Sequence, residues 1–399
     1  MKTNGHPIPN TSHSGSLIRS VRVRRVFVPY RHEVEWSAGK RPGTTRLVVE
    51  ITTEDGVVGL GETICLLEFV EPVLVNTLVP MLIGHSVFEI ERFTKKAEGA
   101  GYYHHKRALV AALAGVEMAM WDGVAKYAGL PLYQLWGGAF RTRVPAVAYL
   151  QSPNPGLVAE EALRWTQAGF ETIKLKIGMG LENDIEIVRV VRDAVGPKVK
   201  IRADVNGAWT IGTAKTQLRK LEPFGLEYVE QPLPLEDLDG HAYLRRLSCV
   251  PIALDESAYT LQDVISIIRR EAADVILLDA HEAGGLQAAR KAAAVAEAAG
   301  IPVTIHSGSE LGISQSANIQ LAMNLPNVSL AIDSMYPNQN GEIIRTPHEF
   351  DHGAFRATSG PGLGVELDES AMERFQTSVI RNPYLDPDKP NWFPMKPQY

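Results

Sequence analysis

The sequence predicts an α/β protein in which a TIM-type barrel follows a smaller domain of strands and helices. From residue 144 onward, short apolar strands alternate with amphipathic helices, and glycines stand where such helices end, at Gly169, Gly196, Gly225 and Gly300. Eight strand–helix units over about 220 residues match a closed (β/α)₈ barrel. The preceding residues lack this alternation, which indicates a separate N-terminal domain.

The N-terminal domain is predicted to begin with a small sheet and to continue as a helical layer. Strands rich in Val, Ile and Leu are expected at Ser20–Pro29, Thr45–Thr53 and Val57–Glu62. Asp55 and Gly56 are typical of a hairpin turn, whereas Trp36–Thr44 has the Gly, Pro and Ser content of a loop. The strongest helical pattern covers Arg107–Tyr127, with Gly129 and Pro131 as stop signals.

The same pattern predicts the bounds of the barrel strands and of several helices. The predicted strands are Val144–Leu150, Thr172–Ile177, Val199–Ala203, Leu226–Val229, Ile252–Leu254, Val275–Leu278, Ile301–Ile305 and Val328–Ile332. Helices are expected at Val158–Ala168, Asp184–Val195 and Leu286–Ala299. An open doubly wound sheet is the alternative, but its dinucleotide glycine fingerprint does not follow the first strand. We expect a flexible leader (1–19), an α+β domain (20–143), the barrel (144–359) and a C-terminal segment (360–399) that packs back on the N-terminal domain.

Composition and charge exclude several classes of function. With 40 Lys and Arg against 46 Asp and Glu, the net charge of −6 argues against a nucleic-acid partner. The chain has no apolar run of membrane-spanning length and no secretory leader, so no membrane partner is expected. Cys65 and Cys249 are far apart in apolar surroundings, which indicates reduced core thiols and a cytoplasmic protein.

Ionisable residues recur at the ends of the predicted barrel strands. They are Lys174, Lys176, Asp204, Glu230, Asp255, Asp279, His306 and Asp333. From Lys176 onward they follow one another at 24 to 28 residues, which is one strand–helix unit. Because the carboxyl ends of barrel strands converge on the face where active sites are built, these residues predict an active site there.

Three of these residues predict a metal site. Asp204, Glu230 and Asp255 end consecutive strands, and three carboxylates held together need a cation or protons. Hard oxygen ligands suit Mg²⁺, with Mn²⁺ as a substitute. Each carboxylate alone could instead cap a helix. Glu256 should point away from Asp255 if the strand continues, but it stays open as the third ligand.

The remaining strand-end residues predict acid–base chemistry. Lys174 and Lys176 stand at i and i+2, so both face the same side of their strand. One can neutralise a substrate carboxylate while the other acts as base, although a solvent-facing pair is the alternative. His306 beside Asp279 suits a general acid or base. Asp333 either binds substrate or only caps its strand.

Taken together, these stretches resemble the enolase superfamily, specifically the mandelate racemase group. The resemblance rests on residues 114–122 (AGVEMAMWD), 174–176 (KLK), 202–209 (RADVNGAW), 229–232 (VEQP), 253–257 (ALDES), Asp279 and 305–306 (IH). It implies an α+β capping domain over a modified (β/α)₇β barrel. It also implies Mg²⁺ bound by Asp204, Glu230 and Asp255, one acid/base at Lys176 and a second at the His306–Asp279 dyad. Lys174 would contact the substrate carboxylate. Sites of this superfamily use a Lys or His base with Mg²⁺ stabilising an ene-diolate.

Within that group the sequence is similar to glucarate-type acid-sugar dehydratases. Residues 204–209 (DVNGAW), 279–281 (DAH) and 331–333 (AID) carry this likeness. It implies that Tyr149 and Asn206 contact a carboxylate sugar substrate, and Asp333 is the further candidate for a substrate contact. Two positions depart from the pattern, since Asp255 replaces an Asn and Met335 replaces a His.

We therefore expect an Mg²⁺-dependent dehydratase that removes the proton α to a carboxylate and expels the β-hydroxyl, giving a 2-keto-3-deoxy acid. A racemase or epimerase with the same Lys and His bases is the first alternative. A non-catalytic sugar-acid binding protein is the second. Related proteins lead us to expect a homo-oligomer.

Overall fold

The N-terminal domain is built on a three-stranded antiparallel sheet. The computed structural model describes residues 14–101, 106–150, 154–381 and 395–399. Residues 1–13 of the predicted leader and 382–394 of the predicted C-terminal segment lie outside this description. The sheet comprises β1 (Ile18–Trp36), β2 (Gly39–Thr53) and β3 (Val58–Ile64), paired in that order. As predicted, β2 and β3 are joined through Asp55 and Gly56.

The prediction of a loop at Trp36–Thr44 was wrong. Trp36 ends β1, only Ser37 and Ala38 form a turn, and the following residues pair back along β1 as part of β2. The reason is tertiary packing, because Trp36 and Ala38 are buried in a cluster with Tyr149 and Met335 of the barrel. This β1–β2 arm therefore extends over the barrel.

A helical layer covers the capping sheet. Its helices are α1 (Val70–Val73), α2 (Val79–Leu82), α3 (Ile90–Ala100), α4 (Lys106–Ala128) and α5 (Leu132–Leu135), with a π-helical turn at Leu74–Leu78. Helix α4 packs against β3 at close range, since a side chain at Gly59 or Gly61 would collide with its backbone. By length and composition α4 could cross a membrane, but most of its apolar stretch is buried in the protein, as expected of a core helix.

The second domain is a barrel of parallel strands. These are β5 (Ala148–Tyr149), β6 (Thr172–Lys176), β7 (Lys200–Asp204), β8 (Tyr228–Glu230), β9 (Ile252–Leu254), β10 (Val275–Leu278) and β11 (Val303–Ile305), hydrogen-bonded in chain order. The predicted eighth strand is not a regular one. Val328 and Ile332 each make an isolated bridge, to β11 and to Ala146, and these bridges close the barrel.

Helices surround the barrel strands. They are α6 (Pro155–Gln167), α7 (Leu181–Val195), α8 (Ile211–Leu221), α9 (Leu238–Leu247), α10 (Leu261–Arg270), α11 (Ala280–Ala283), α12 (Leu286–Ala298) and α13 (Gly312–Asn324), with a 3₁₀ turn at Glu222–Phe224. After the eighth strand position the chain forms only a 3₁₀ turn at Tyr336–Asn338, where a (β/α)₈ barrel would place its eighth helix. The (β/α)₇β form implied by the resemblance is thus confirmed.

The chain then returns to the capping sheet. Strand β12 (Ala354–Arg356) pairs with β4 (Arg143–Pro145). Helix α14 (Glu369–Phe375) lies against β1, where the Arg24 guanidinium and the Glu369 carboxylate are 2.6 Å apart.

The two cysteines differ from the prediction in one respect. Both are free thiols, and Cys65 is buried as expected. Cys249 is exposed, so its assignment to the core was wrong. It lies in the turn between α9 and β9, where the neighbouring Val250 takes the buried position instead.

Candidate active site

The carboxyl ends of the barrel strands open into a cavity of about 370 Å³ beneath the β1–β2 arm. Six of the predicted site residues line it: Tyr149, Lys176, Asn206, Asp255, Asp279 and His306. The other four, Lys174, Asp204, Glu230 and Asp333, are almost completely buried within the barrel. The predicted residues therefore form an inner polar network and an outer wall that a ligand can reach.

Lys174 is the centre of the inner network. Its Nζ donates to Glu230 Oε1 at 2.6 Å and to Asp333 Oδ2 at 2.7 Å, and lies 3.3 Å from Asp204 Oδ2. Burial alone would lower the pKa of Lys174, but Asp333 and Glu230 raise it well above its usual value. The ammonium is thus already paired with carboxylates, and a substrate carboxylate would have to compete with them.

Asp333 is held as a carboxylate behind the cavity. Burial would raise its pKa, but the charges on Lys174 and Arg202 lower it. Its Oδ2 also accepts from the Tyr149 hydroxyl at 2.8 Å, and its Oδ1 accepts from Arg202 Nη1 at 3.3 Å. These contacts link Asp333 to Tyr149, Lys174 and Arg202, and its contact with a substrate stays a prediction.

Lys176 reaches the cavity from the end of β6. Its Nζ donates to Asp204 Oδ2 at 2.6 Å and to Asn206 Oδ1 at 3.1 Å. Asn206 has a left-handed backbone, with φ of 48°, which asparagine tolerates better than most residues. Its amide also donates to Glu256 Oε1 at 2.8 Å.

The expectation that Glu256 points away from Asp255 was wrong. Strand β9 ends at Leu254, so the alternation of side chains stops there and both carboxylates line the cavity. Gln231 braces this segment, because its side-chain oxygen accepts from the backbone N–H groups of Asp255 and Ser257, both at 3.2 Å.

The carboxylates of β7, β8 and β9 suit a hard divalent cation. Among the residues that the structure describes, no hydrogen-bond partner lies against the buried oxygens Glu230 Oε2, Asp255 Oδ1 and Glu256 Oε2. Burial and the neighbouring Asp204 raise the pKa of Glu230 well above its usual value. Burial likewise raises the pKa of Asp255 well above its usual value, although the charge of His306 opposes the shift. Carboxylate oxygens that lack a hydrogen-bond partner, and whose ionisation burial opposes, suit Mg²⁺ as ligands, because a bound cation would compensate their negative charge.

The closest groups of possible metal-ligand atoms are not the predicted trio of Asp204, Glu230 and Asp255. Within the described residues, atoms within 4.8 Å of one another occur in two groups: Asp255, Glu282 and His306, and Asp279, His281 and Glu310. Asp204 and Glu230 are in neither group and are held by lysines instead. Asp255 links the two sets, since it follows β9 and also faces His306.

His306 directly follows β11, five strands along the sheet from β6, and lines the same cavity as Lys176. Its Nδ1 is 3.0 Å from Asp279 Oδ2, and its Nε2 is 3.4 Å from Asp255 Oδ2. Burial favours a neutral ring, but Asp255, Asp279 and Glu282 raise the pKa of His306 well above its usual value. For Asp279, burial is outweighed by contacts with His281 and His306, so its pKa is lowered. The pair is therefore an imidazolium held by a carboxylate.

Several residues near the site were not found from the sequence. Glu282 faces His306, and burial raises its pKa to about 8. Lys396 comes from the C-terminal segment, donates to Ser37 Oγ at 2.7 Å and faces Glu256 and Asp204; burial lowers its pKa to about 8. Arg202 was visible in the motif at 202–209 but carried no predicted role. Only the fold brings these residues to the strand ends.

The capping domain supplies an apolar wall. It comprises Val34, Trp36, Ile64, Leu66, Leu67, Phe69 and Val70, and Met335 adds to it from the barrel. The cavity therefore has polar groups on the barrel side and apolar side chains on the side of the capping sheet.

Comparison with protein families supports this architecture. Residues 18–137 match the mandelate racemase/muconate lactonizing enzyme N-terminal domain, and residues 157–371 match the enolase C-terminal domain-like family. These two matches cover the capping domain and most of the barrel.

Similar proteins carry out several reactions. Muconate cycloisomerase 1 of Rhodococcus opacus is 32% identical over 89% of this chain and 97% of its own. Arabinonate dehydratase of Saccharolobus solfataricus is 30% identical over 83% and 90%. The structure of an enolase from Thermobispora bispora, complexed with magnesium and formate, is 28% identical with a TM-score of 0.87 and covers 96% of this chain and 100% of that one. Racemases and epimerases also match.

Proposed function

The chain belongs to the mandelate racemase/muconate lactonizing enzyme family of the enolase superfamily, and from this premise we propose that it is a Mg²⁺-dependent dehydratase of sugar acids. The observation that carries the proposal is the placement of Lys176 and of the His306–Asp279 pair on one cavity. A base and a protonated acid around one ligand are what elimination of water requires.

We propose that Asp204, Glu230 and Asp255 hold the Mg²⁺ ion. The unpartnered oxygens of Glu230 and Asp255 support this assignment, and Glu256 offers a further unpartnered oxygen beside them. The bound ion would stabilise the negative charge that moves onto the substrate carboxylate as the α-proton leaves. Lys174, buried among the same carboxylates, adds positive charge to this side of the cavity.

Lys176 takes the α-proton at Nζ. Its contacts with Asp204 and Asn206 fix the position of the amine at the cavity wall. The electron pair of the broken C–H bond first moves onto the substrate carboxylate and then forms the Cα–Cβ double bond as the Cβ–O bond breaks. His306 gives the Nε2 proton to the departing hydroxyl, which leaves as water, and the resulting enol tautomerises to the 2-keto-3-deoxy acid. Asp279 supports the imidazolium before this transfer by accepting from Nδ1.

A panel of aldonates and aldarates tests the proposal. Each acid is incubated with the purified protein and Mg²⁺, and 2-keto acid is measured by its semicarbazone absorbance. We expect product from at least one acid, and loss of product in Lys176→Met and His306→Asn. Lys200→Met and His352→Asn are matched controls, because both side chains are exposed and neither lines the cavity. Absence of keto acid across the whole panel would overturn the dehydratase assignment.

The apolar wall favours a second candidate, racemisation or epimerisation of an acid with an apolar part. Trp36, Ile64 and Phe69 would contact such a group better than sugar hydroxyls. In that reaction Lys176 and His306 would each exchange a proton at the α-carbon, one on either face. An inverted product that carries solvent deuterium, without keto acid, would select this candidate.

A further inference from the structure

A chain of hydrogen bonds runs from the capping sheet to the back of His306. Arg46, on β2, places Nη2 2.9 Å from His281 Nε2. His281 Nδ1 is 2.7 Å from Asp279 Oδ1, and Asp279 Oδ2 is 3.0 Å from His306 Nδ1. The side chains of Arg46 and His281 are fully buried, so the contact between them is shielded from bulk water.

The chemistry of arginine fixes the protonation of His281. His281 Nε2 lies 2.9 Å from Arg46 Nη2 and 2.9 Å from Ser314 Oγ. A hydroxyl can donate or accept, but a guanidinium only donates, so the contact with Arg46 requires an Nε2 that accepts and carries no proton. The ring is therefore neutral with its proton on Nδ1, and it donates that proton to Asp279 Oδ1. The backbone N–H of His281 donates to the same oxygen at 2.7 Å. Asp279 Oδ2 is left to accept from His306 Nδ1, which leaves His306 Nε2 to face the cavity.

Arg46 is itself fixed by partners from both domains. Its Nε donates to Glu62 Oε1 at 2.7 Å on β3, and its Nη1 lies 3.3 Å from the carbonyl oxygen of Gly308, two residues beyond His306. Glu62 in turn accepts from the backbone N–H groups of Leu311 and Ser314 at 2.9 and 3.0 Å. One guanidinium thus touches both the ring behind Asp279 and the segment that follows His306.

We propose that Arg46 and His281 are positioning residues for the His306 proton donor. Arg46 holds His281 in its Nδ1–H tautomer, and His281 orients the Asp279 carboxylate so that His306 presents Nε2 to the substrate. This inference rests on the proposed role of His306. If Arg46 and His281 have this role, proton donation by His306 requires contact between the capping domain and the barrel.

The tautomer of His281 is the direct test. Protein labelled with ¹⁵N-histidine is examined by long-range ¹H–¹⁵N correlation, and the His281 signals are assigned by their loss in His281→Asn. We expect a protonated Nδ1 and an unprotonated Nε2 in the folded protein. A proton on Nε2 would overturn the proposal, because Arg46 could not then donate to that nitrogen. This result does not depend on finding a substrate.

The consequence for catalysis is tested with two leaving groups. His281→Leu removes the donor to Asp279, whereas the Asn side chain of His281→Asn keeps an N–H near the position of Nδ1. Replacing a residue that orients a functional side chain from behind typically lowers activity by about 10- to 100-fold. We expect a loss of that size in His281→Leu for water elimination and partial recovery in His281→Asn. Release of fluoride from the matching β-fluoro acid needs no proton from His306, so it should change little.

Equal losses for hydroxide and fluoride in His281→Leu would contradict the positioning role, because general damage to the site affects both reactions. His241→Leu is the control for loss of a buried histidine, since His241 lies outside the cavity and should leave the ratio of the two rates unchanged. If wild-type protein eliminates neither group, the proposed function fails, and the tautomer measurement alone decides the positioning proposal.

Discussion

Replacing Glu62 with Gln tests how strongly the capping sheet is bound to the barrel. The Glu62 and Arg46 side chains are both completely buried, and Glu62 also accepts from two backbone N–H groups at the start of α13. A Gln amide at this position turns an N–H group towards one of these donors and leaves the Arg46 charge without its counter-ion. Removing one partner of a buried pair costs roughly 3–5 kcal/mol. We therefore expect Glu62→Gln to lower the free energy of unfolding by this amount.

The matched control is Glu71→Gln, which breaks the pair between Glu71 and Arg25 in the same domain. That pair is partly exposed, with 24% and 20% of the two side chains accessible. Pairs near the surface contribute up to about 1 kcal/mol. Urea denaturation of both variants and of the wild type gives the comparison. If Glu62→Gln shifts the midpoint no more than Glu71→Gln, the account of Glu62 as a link between the domains is refuted.

Three further predictions concern thiols, protons and metal. Cys249 should react with Ellman's reagent in the native protein, whereas Cys65 should react only after unfolding, because burial raises its pKa to about 12; two fast thiols would contradict this. Burial lowers the pKa of His241 from 6.5 to about 4, so between these pH values only the unfolded state takes up the proton. Stability should therefore fall as the pH drops from 6.5 to 4, by about 1.4 kcal/mol per pH unit. His241→Gln should remove this component, and an unchanged slope in unfolding measurements at several pH values would refute it. Finally, Mg²⁺ should raise the thermal midpoint, because at 100 times its Kd a bound ligand stabilises the folded state by about 2.7 kcal/mol. Glu230→Gln and Asp255→Asn should reduce this rise. A rise in both variants equal to that of the wild type would place the ion elsewhere.

The barrel was predictable from the sequence because each of its units repeats the same physical pattern. An apolar strand, an ionisable residue at its end and a helix closed by glycine recur, and β9 and β10 have the predicted bounds. That repetition also placed Lys176, Asp255 and His306 on one cavity. The local pattern was weaker at 328–332, where single bridges replace a regular strand.

The rest depended on contacts between distant parts of the chain. Trp36–Thr44 has the composition of a loop, but burial of Trp36 against Tyr149 makes it part of a strand pair. Glu256 reaches the cavity because β9 ends two residues before it. The contact between Arg46 and His281 joins residues 235 positions apart, a separation at which no local sequence pattern operates.

The central claim is the proposal that Lys176 removes the proton α to a carboxylate while His306, on the same cavity, acts as the acid. Its most direct measurement is the cleavage rate of the α-C–H bond, followed by ²H and ¹H NMR in D₂O with an acid selected from the panel. The account predicts α-C–H cleavage by the wild type and by Lys200→Met, and none by Lys176→Met. Cleavage at the wild-type rate in Lys176→Met would contradict it.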